Sequence, residues 1–205
     1  YACVVADYTL ALDAKFPEPI KDLKNALGWI KESAEAYHFD PNDITIWGES
    51  AGGHLSLETV LMPDEMFELD YKTSGQVKNM GIFYPMVNVE TVDQQGDGNP
   101  NGSLKHLRPD SVYGIFMGDQ LDDAQMRYNS SPIHFINEHM PRIWIQHGTE
   151  DALLPYQQTI EFTEAVKKNY PNVEIYSEIT EGKVHTDPYF FSDENVERII
   201  AFISQ

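Results

Sequence analysis

The stretch ITIWGESAGGHLSL, Ile44 to Leu57, decides the fold. An apolar β-type run ends at Gly48-Glu49-Ser50-Ala51-Gly52 and passes into a run with helical character. A small polar residue, Ser50, is thus held between glycines where a strand gives way to a helix. A tight turn with an incidental serine would spell the same way. So would a nucleophile held out from its backbone. The second arrangement needs a strained serine whose hydroxyl projects past the strand end. It also needs small residues two places before and after, because side chains there would collide in so sharp a turn. Gly48 and Gly52 meet that need, and Ala51 and Gly53 keep the turn uncrowded. The helix opening near Ala51 would aim free N–H groups and its positive end at the site. The Ala51 N–H would then serve as one oxyanion donor.

A serine is inert without a base to take its proton and an acid to orient that base. On a strand–turn–helix elbow the order along the chain should be Ser, then Asp or Glu, then His. PRIWIQHG, a strand-like run, is followed by TEDALLPY, which places Asp151 just past its C-terminal end. VEIYSEI, a later strand-like run, is followed by EGKVHTDPYFF, which places His185 in the next loop. Reactive groups gather at this end of parallel strands. A lone loop histidine among seven means little, and an Asp after a strand is commonly a turn former. Three such residues in the required order, each after its own strand, point to a triad of Ser50, Asp151 and His185. Glu150 is a weaker acid candidate than its neighbour. Asp187, with Pro188, is expected to shape the loop. His54 is expected to be a packed helix residue, His147 to bond to backbone, and Glu49 to make local hydrogen bonds.

Working outward, strand-like and helix-like runs alternate. YACVVADY, DITIWG, VKNMGIFYPMV, PRIWIQHG and VEIYSEI are strand candidates. PEPIKDLKNALGWIKESAEAYHF carries Ile20, Leu23, Leu27 and Ile30 at helical spacing behind Pro17 and Pro19. AGGHLSLETVL, PYQQTIEFTEAVKKNY and DENVERIIAFISQ are further helices, the last with Asp193 as its expected cap. This alternation predicts an α/β fold, a mostly parallel sheet flanked by helices, over residues 1–205 as a single domain. Residues 87–140 break the rhythm. They begin polar and turn aromatic and Met-rich, which predicts an insertion acting as a lid or binding segment. Tyr113, Phe116 and Met117 are its candidate pocket residues.

The chain has 205 residues, 41% of them hydrophobic, and a formal charge of −19. Such a surface repels nucleic acid and anionic membrane. No apolar run is long enough to span a bilayer. Cys3, the single cysteine, lies in an apolar run and is expected to be a buried small hydrophobe. One cysteine excludes an intrachain disulfide and leans to a reducing, cytoplasmic compartment. DGNPNG, Asp97 to Gly102, spells the start of a calcium loop. Its twelfth position is Arg108 rather than Glu, and no helix is expected on its near side, so calcium is not expected. No zinc cluster or phosphate-cradling loop is read, and no metal or cofactor is expected.

DYTLALDAKFPEPIKDLKNALGWIKESAEAYHFDPNDITIWGESAGGHL resembles the α/β-hydrolase serine esterases of the hormone-sensitive-lipase and feruloyl-esterase-like group. HGTEDALLPYQQTIEFTEAVKKNYPNVEIY and HTDPYFFSDENVERIIAFI resemble the same group, and the carbohydrate-esterase-like branch most. The resemblance implies Ser50 as nucleophile, Asp151 as acid and His185 as base. It implies ester hydrolysis through an acyl-enzyme without a cofactor, on short-chain or aryl esters such as acetyl or feruloyl groups of plant polysaccharide. Amide hydrolysis, as in arylformamidases or prolyl-peptidase-like enzymes, and a non-catalytic binding module are the alternatives. Three departures stand out. Thr9 replaces the group's usual Arg. GKVH replaces a small-residue approach to His185, so the histidine loop is expected to sit differently. The glycine-rich oxyanion loop is expected upstream of Tyr1, after a strand lying between YACVVADY and DITIWG. The chain then resembles the C-terminal portion of such a domain, lacking its N-terminal strands. Whether the remainder is an N-terminal segment, is cleaved away, or comes from another chain of a homo-oligomer stays open.

Overall fold

The computed structural model describes residues 1–71, 77–99 and 104–205. Four parallel strands form one sheet in the order β1 (Ile44–Glu49), β2 (Val77–Phe83), β3 (Arg142–Gly148), β4 (Ile175–Thr180). β2 and β3 run through the centre and are buried along nearly their whole length, as strands covered on both faces should be. Their period-two alternation sorts side chains between the faces. Met80, Ile82, Ile143 and Ile145 meet Leu57 and Leu61 of α3 (Ala51–Leu61) and Phe162 and Val166 of α7 (Gln157–Asn169). Phe83 and Trp144 meet Ile199, Phe202 and Ile203 of α8 (Asp193–Ile203) on the other face.

α1 (Glu18–Glu32), followed by the short α2 (Ala34–Tyr37), packs beside α3 through Ile20 and Leu55. Its Lys24 is 1% exposed, and the ammonium donates to the Thr59 and Met62 carbonyls and to Asp64. The lysine thereby satisfies carbonyls at the C-terminal end of α3, where a helix carries negative partial charge. Burial pulls its pKa down, against Asp64, which holds it up.

The described residues of the 87–140 segment, 87–99 and 104–140, pack as a helical layer. They form α4 (Val89–Asp97), α5 (Val112–Met117) and α6 (Ala124–Asn129), with 3-10 turns at Gly118–Gln120 and Pro132–Phe135. Val89, Val92, Tyr113 and Met117 share one core with Phe16, Ile20 and Leu55. The polar face of α4 is tied to α7 by Glu161, whose carboxylate accepts from Asn88 at 2.6 Å, Gln95 at 2.7 Å and Thr91 at 2.8 Å.

Several expectations are corrected. YACVVADY forms no strand. β1 is the last strand of the sheet, and among the described residues nothing pairs with its outer edge. Without a ladder partner, β-rich residues have nowhere to place their N–H and C=O groups except water. Tyr1 is 94% and Val5 89% exposed, and Cys3 is exposed rather than buried. Ser192, not Asp193, caps α8 by accepting from the Asn195 N–H. A helix does precede the DGNPNG stretch: α4 ends at Asp97, which pairs with Lys105. Pro100 to Gly102 of that stretch lie outside the described residues. No helix among the described residues is long and apolar enough to cross a membrane.

Candidate active site

β1 ends at Glu49, and Ser50 follows with φ 51° and ψ −118°, a conformation that non-glycine residues avoid. The neighbouring geometry holds it there. The Ser50 N–H donates to the Phe83 carbonyl at 3.0 Å, and the Ser50 carbonyl accepts from the His54 N–H at 3.0 Å. Gly48 is obligatory, since a Cβ there would sit 2.4 Å from both the Gly52 carbonyl oxygen and Ser56 Oγ. The matching expectation for Gly52 is overturned: a Cβ on it would meet no described atom within 4 Å. The crowding falls one residue later. A Cβ on Gly53 would come within 3.1 Å of the Phe83 carbonyl oxygen and 3.2 Å of that of Gly48. α3 crosses β1 and β2 closely at Gly53, which brings its N-terminus under Ser50.

The three residues read as a triad converge. His185 Nε2 lies 2.8 Å from Ser50 Oγ, and His185 Nδ1 lies 2.7 Å from Asp151 Oδ2. With Nδ1–H donating to the carboxylate, Nε2 is left free to accept the serine proton. The GKVH approach leaves His185 within reach of both partners. Gly148 makes the approach possible, because a Cβ there would lie 2.1 Å from the Lys183 carbonyl oxygen. The Glu150 N–H donates to that carbonyl at 2.9 Å and binds the two loops together. Thr186, next to His185, has φ 57°. Tyr84 at the end of β2 has φ 37°, and its ring lies 4.5 Å from that of His185, centroid to centroid. Three of the four non-glycine residues with positive φ among the described residues are therefore Ser50 or its immediate surroundings.

Asp151 is 1% exposed and richly bonded. Oδ1 accepts the N–H groups of Leu153 at 2.8 Å and Leu154 at 2.9 Å. Oδ2 accepts His185 and also His147 Nε2 at 3.1 Å. Burial alone would push this carboxyl up; the bonds from His147, His185 and the Leu154 N–H outweigh it and hold the group well below its usual range. The expectation for His147 is a backbone partner. The residue does meet the Leu154 carbonyl, at 3.1 Å, but it also meets the acid. Its position at the end of β3, four residues before Asp151, was the signal.

A second buried acid lies behind the site. Glu58 of α3 is fully buried and 3.2 Å from His54 Nε2, one helical turn earlier. His54 Nδ1 lies 2.9 Å from the Met86 carbonyl. Burial raises the Glu58 pKa well above its ordinary value and lowers that of His54 to about 4. Burial thus favours the protonated form of Glu58 and keeps the His54 imidazole neutral.

Ser50 and His185 open onto a cavity of about 300 Å³ with largely apolar walls. Tyr113 and Phe116 line it as expected. Met117 does not: it is fully buried in the core beneath α5. Tyr8 to Ala11 also line the cavity, a contribution that periodicity could not reveal because these residues form no regular element. Glu49 accepts from the Tyr84 hydroxyl, and Asp187 caps the turn Pro188–Phe191 by accepting from the Tyr189 N–H at 2.9 Å. Glu150 is exposed and bonds through its backbone. Among the described residues no group of three or more His, Cys, Asp or Glu could hold a metal ion.

Comparison with known proteins agrees with this architecture. A probable carboxylic ester hydrolase, LipM, of Mycobacterium tuberculosis is 26% identical over 181 residues, covering 87% of this chain and 40% of its own length. The chain thus spans about two fifths of that relative. The propionate-bound esterase Est2 of Thermogutta terrifontis superposes with a TM-score of 0.71 at 25% identity, covering 97% of this chain and 69% of that one. A truncated carbohydrate esterase from gut microbiota superposes at 0.77 with 20% identity, covering 97% and 71%. The BD-FAE family model matches residues 1–166, a span that includes Ser50 and Asp151 and stops short of His185. With the fold, the elbow and this match in agreement, the chain belongs to the BD-FAE family of α/β-hydrolase proteins.

Proposed function

We propose that Ser50, Asp151 and His185 hydrolyse carboxylic esters as the triad of a serine carboxylesterase. The observation carrying this reading is the unbroken line of hydrogen bonds from Asp151 through His185 to a serine held at positive φ. His185 Nε2 takes the proton of Ser50 Oγ as the oxygen attacks the ester carbonyl carbon. The Ala51 N–H, at the start of α3, has no intrahelical acceptor and faces the developing oxyanion as one donor. His185 then passes the proton to the leaving alkoxide, which departs as the alcohol. A water gives its proton to Nε2, attacks the acyl-enzyme, and Ser50 recovers its proton as the acid leaves. Asp151 keeps Nδ1–H in place throughout and stabilises the imidazolium.

Short-chain or aryl acyl groups suit the apolar cavity of about 300 Å³, and acetyl or feruloyl esters of polysaccharide are the proposed natural class. Residues 87–140 act as the lid-like segment that supplies Tyr113 and Phe116 to its wall. The test is labelling of the wild-type chain by a fluorophosphonate, with p-nitrophenyl acetate, p-nitrophenyl butyrate, methyl ferulate and acetylated xylan assayed in parallel with matched amides. Ser50→Ala should lose the label and roughly 10⁶-fold in kcat while staying folded. A folded Ser50→Ala protein with near-native ester turnover would end the reading, and faster amide than ester cleavage would replace it with amide hydrolysis.

A further inference from the structure

We propose that His147 is a positioning residue of the site, a second imidazole on Asp151 that sets how strongly the carboxylate holds His185. His147 sits at the end of β3 and is fully buried. Its Nε2 lies 3.1 Å from Asp151 Oδ2 and 3.1 Å from the Leu154 carbonyl oxygen. Both are acceptors, so Nε2 carries a hydrogen and shares it between them. Nδ1 lies 2.9 Å from Thr159 Oγ1 of α7, whose hydroxyl fills the ring's remaining site. The tautomer is therefore set from two sides by the fold, without solvent.

Oδ2 is also the oxygen that accepts His185 Nδ1, at 2.7 Å. One oxygen serves two imidazoles, while Oδ1 is occupied by the N–H groups of Leu153 and Leu154. Each donor drains charge from the carboxylate, so a donor removed from His147 leaves more charge to bear on His185. The imidazolium would then be held harder and would release its proton at higher pH. Other titratable groups surround the pair. They are Tyr84, whose ring lies 4.5 Å from His185 and 6.3 Å from His147 between ring centroids, and Glu49, which accepts the Tyr84 hydroxyl. The Lys183–Asp187 pair at 3.7 Å flanks the histidine loop, and His54 and His106 line the same cavity as His185. Thr159 is the α7 group that meets the His147 ring.

The inference rests on the triad reading, and its test does not need turnover. The His185 titration is followed by NMR of the imidazole in the full chain, in wild type, His147→Leu and His147→Gln. His147→Leu should move the midpoint upward by about one pH unit. His147→Gln, which restores an N–H donor, should return it most of the way. Where esters are cleaved, the acid limb of kcat/KM should move with the midpoint, and kcat should fall more than KM changes. A folded His147→Leu protein whose midpoint matches wild type overturns the proposal and leaves His147 as packing. Should that variant fail to fold, Thr159→Val decides: a smaller shift in the same direction supports the proposal, and an unmoved midpoint overturns it. Wild-type protein that cleaves no ester would end the reading of function while leaving the NMR comparison to stand or fall alone.

Discussion

Asp151, in the turn after β3, and Glu58, in the middle of α3, are both withdrawn from water, at 1% and 0% exposure. The pKa of one is held below its ordinary value and that of the other is pushed above it. Asp151 is met by two backbone N–H groups and two imidazoles. Among the described residues neither oxygen of Glu58 receives a hydrogen bond, and the His54 ring nitrogen lies 3.2 Å away. Burial disfavours the charged form of both carboxyls; the donors decide whether the charge survives. A turn at the C-terminal end of a strand exposes N–H groups that can be aimed at a carboxylate. The middle of a helix has none to offer, because its N–H groups are already bonded within the helix.

The sharpest way to break this contrast is to neutralise each acid in turn. Asp151→Asn should lower kcat about 10⁴-fold by removing the charge and disturbing the His185 tautomer. Glu58→Gln, which puts a neutral amide where burial favours the neutral acid, should leave kcat within about threefold. Equal losses in a steady-state ester assay would mean that Glu58 is ionised in the folded chain.

The pH dependence of stability should separate the two with opposite signs. Asp151 has its folded pKa below the ordinary 3.8. Its contribution is fully present above that value and is lost as pH falls towards the folded pKa. Glu58 has its folded pKa above the ordinary 4.5. Its contribution is fully present below 4.5 and is lost as pH rises towards the folded pKa. Each limb can approach one proton, about 1.4 kcal/mol per pH unit. Urea unfolding from pH 3 to 8 checks this: the wild-type minus Asp151→Asn difference should shrink on the acid side. The wild-type minus Glu58→Gln difference, small near pH 4, should turn increasingly negative as pH rises, and a flat Glu58 difference would remove the contrast.

The smallest expected effect is on stability near pH 4, below the ordinary Glu58 pKa. There Glu58→Gln should differ from wild type by less than about 1 kcal/mol, because an amide keeps the shape and adds no charge. A larger loss at that pH would show that the acid's O–H donates to His54 Nε2 in a way an amide cannot reproduce. At the cavity wall, Tyr113→Ala and Phe116→Ala should reorder the ester panel more than they change stability. A lowered Tm with an unchanged substrate ranking would make them ordinary core.

Much of this was legible in the chain. The four strands of the sheet, the elbow and the order Ser50, Asp151, His185 follow from alternation, from glycines at a strand end and from loop position. The errors share a cause. YACVVADY has the composition of a strand, but a strand is a pairing and no described residue pairs with it. Gly52 was given the crowding that belongs to Gly53, because which glycine faces the sheet depends on how α3 rolls onto β1 and β2. Ser192 took the capping place expected of Asp193, since either can cap and the approach angle of the preceding turn chooses.

By itself, the sequence determined the residue types and their order: an alternating α/β pattern, a small-residue turn around a serine, and an acid and a base each after its own strand. Local steric rules and period-two burial suffice for that, since both act between near neighbours. The tertiary contacts alone bring His147 onto the Asp151 oxygen that holds His185, bury Glu58 beside His54 so that its pKa rises, and wall the cavity with Tyr8 to Ala11. Those outcomes depend on which donors and which surfaces arrive at a buried point from distant parts of the chain. Burial multiplies the consequence of each arrival, because no water remains there to substitute for a missing partner.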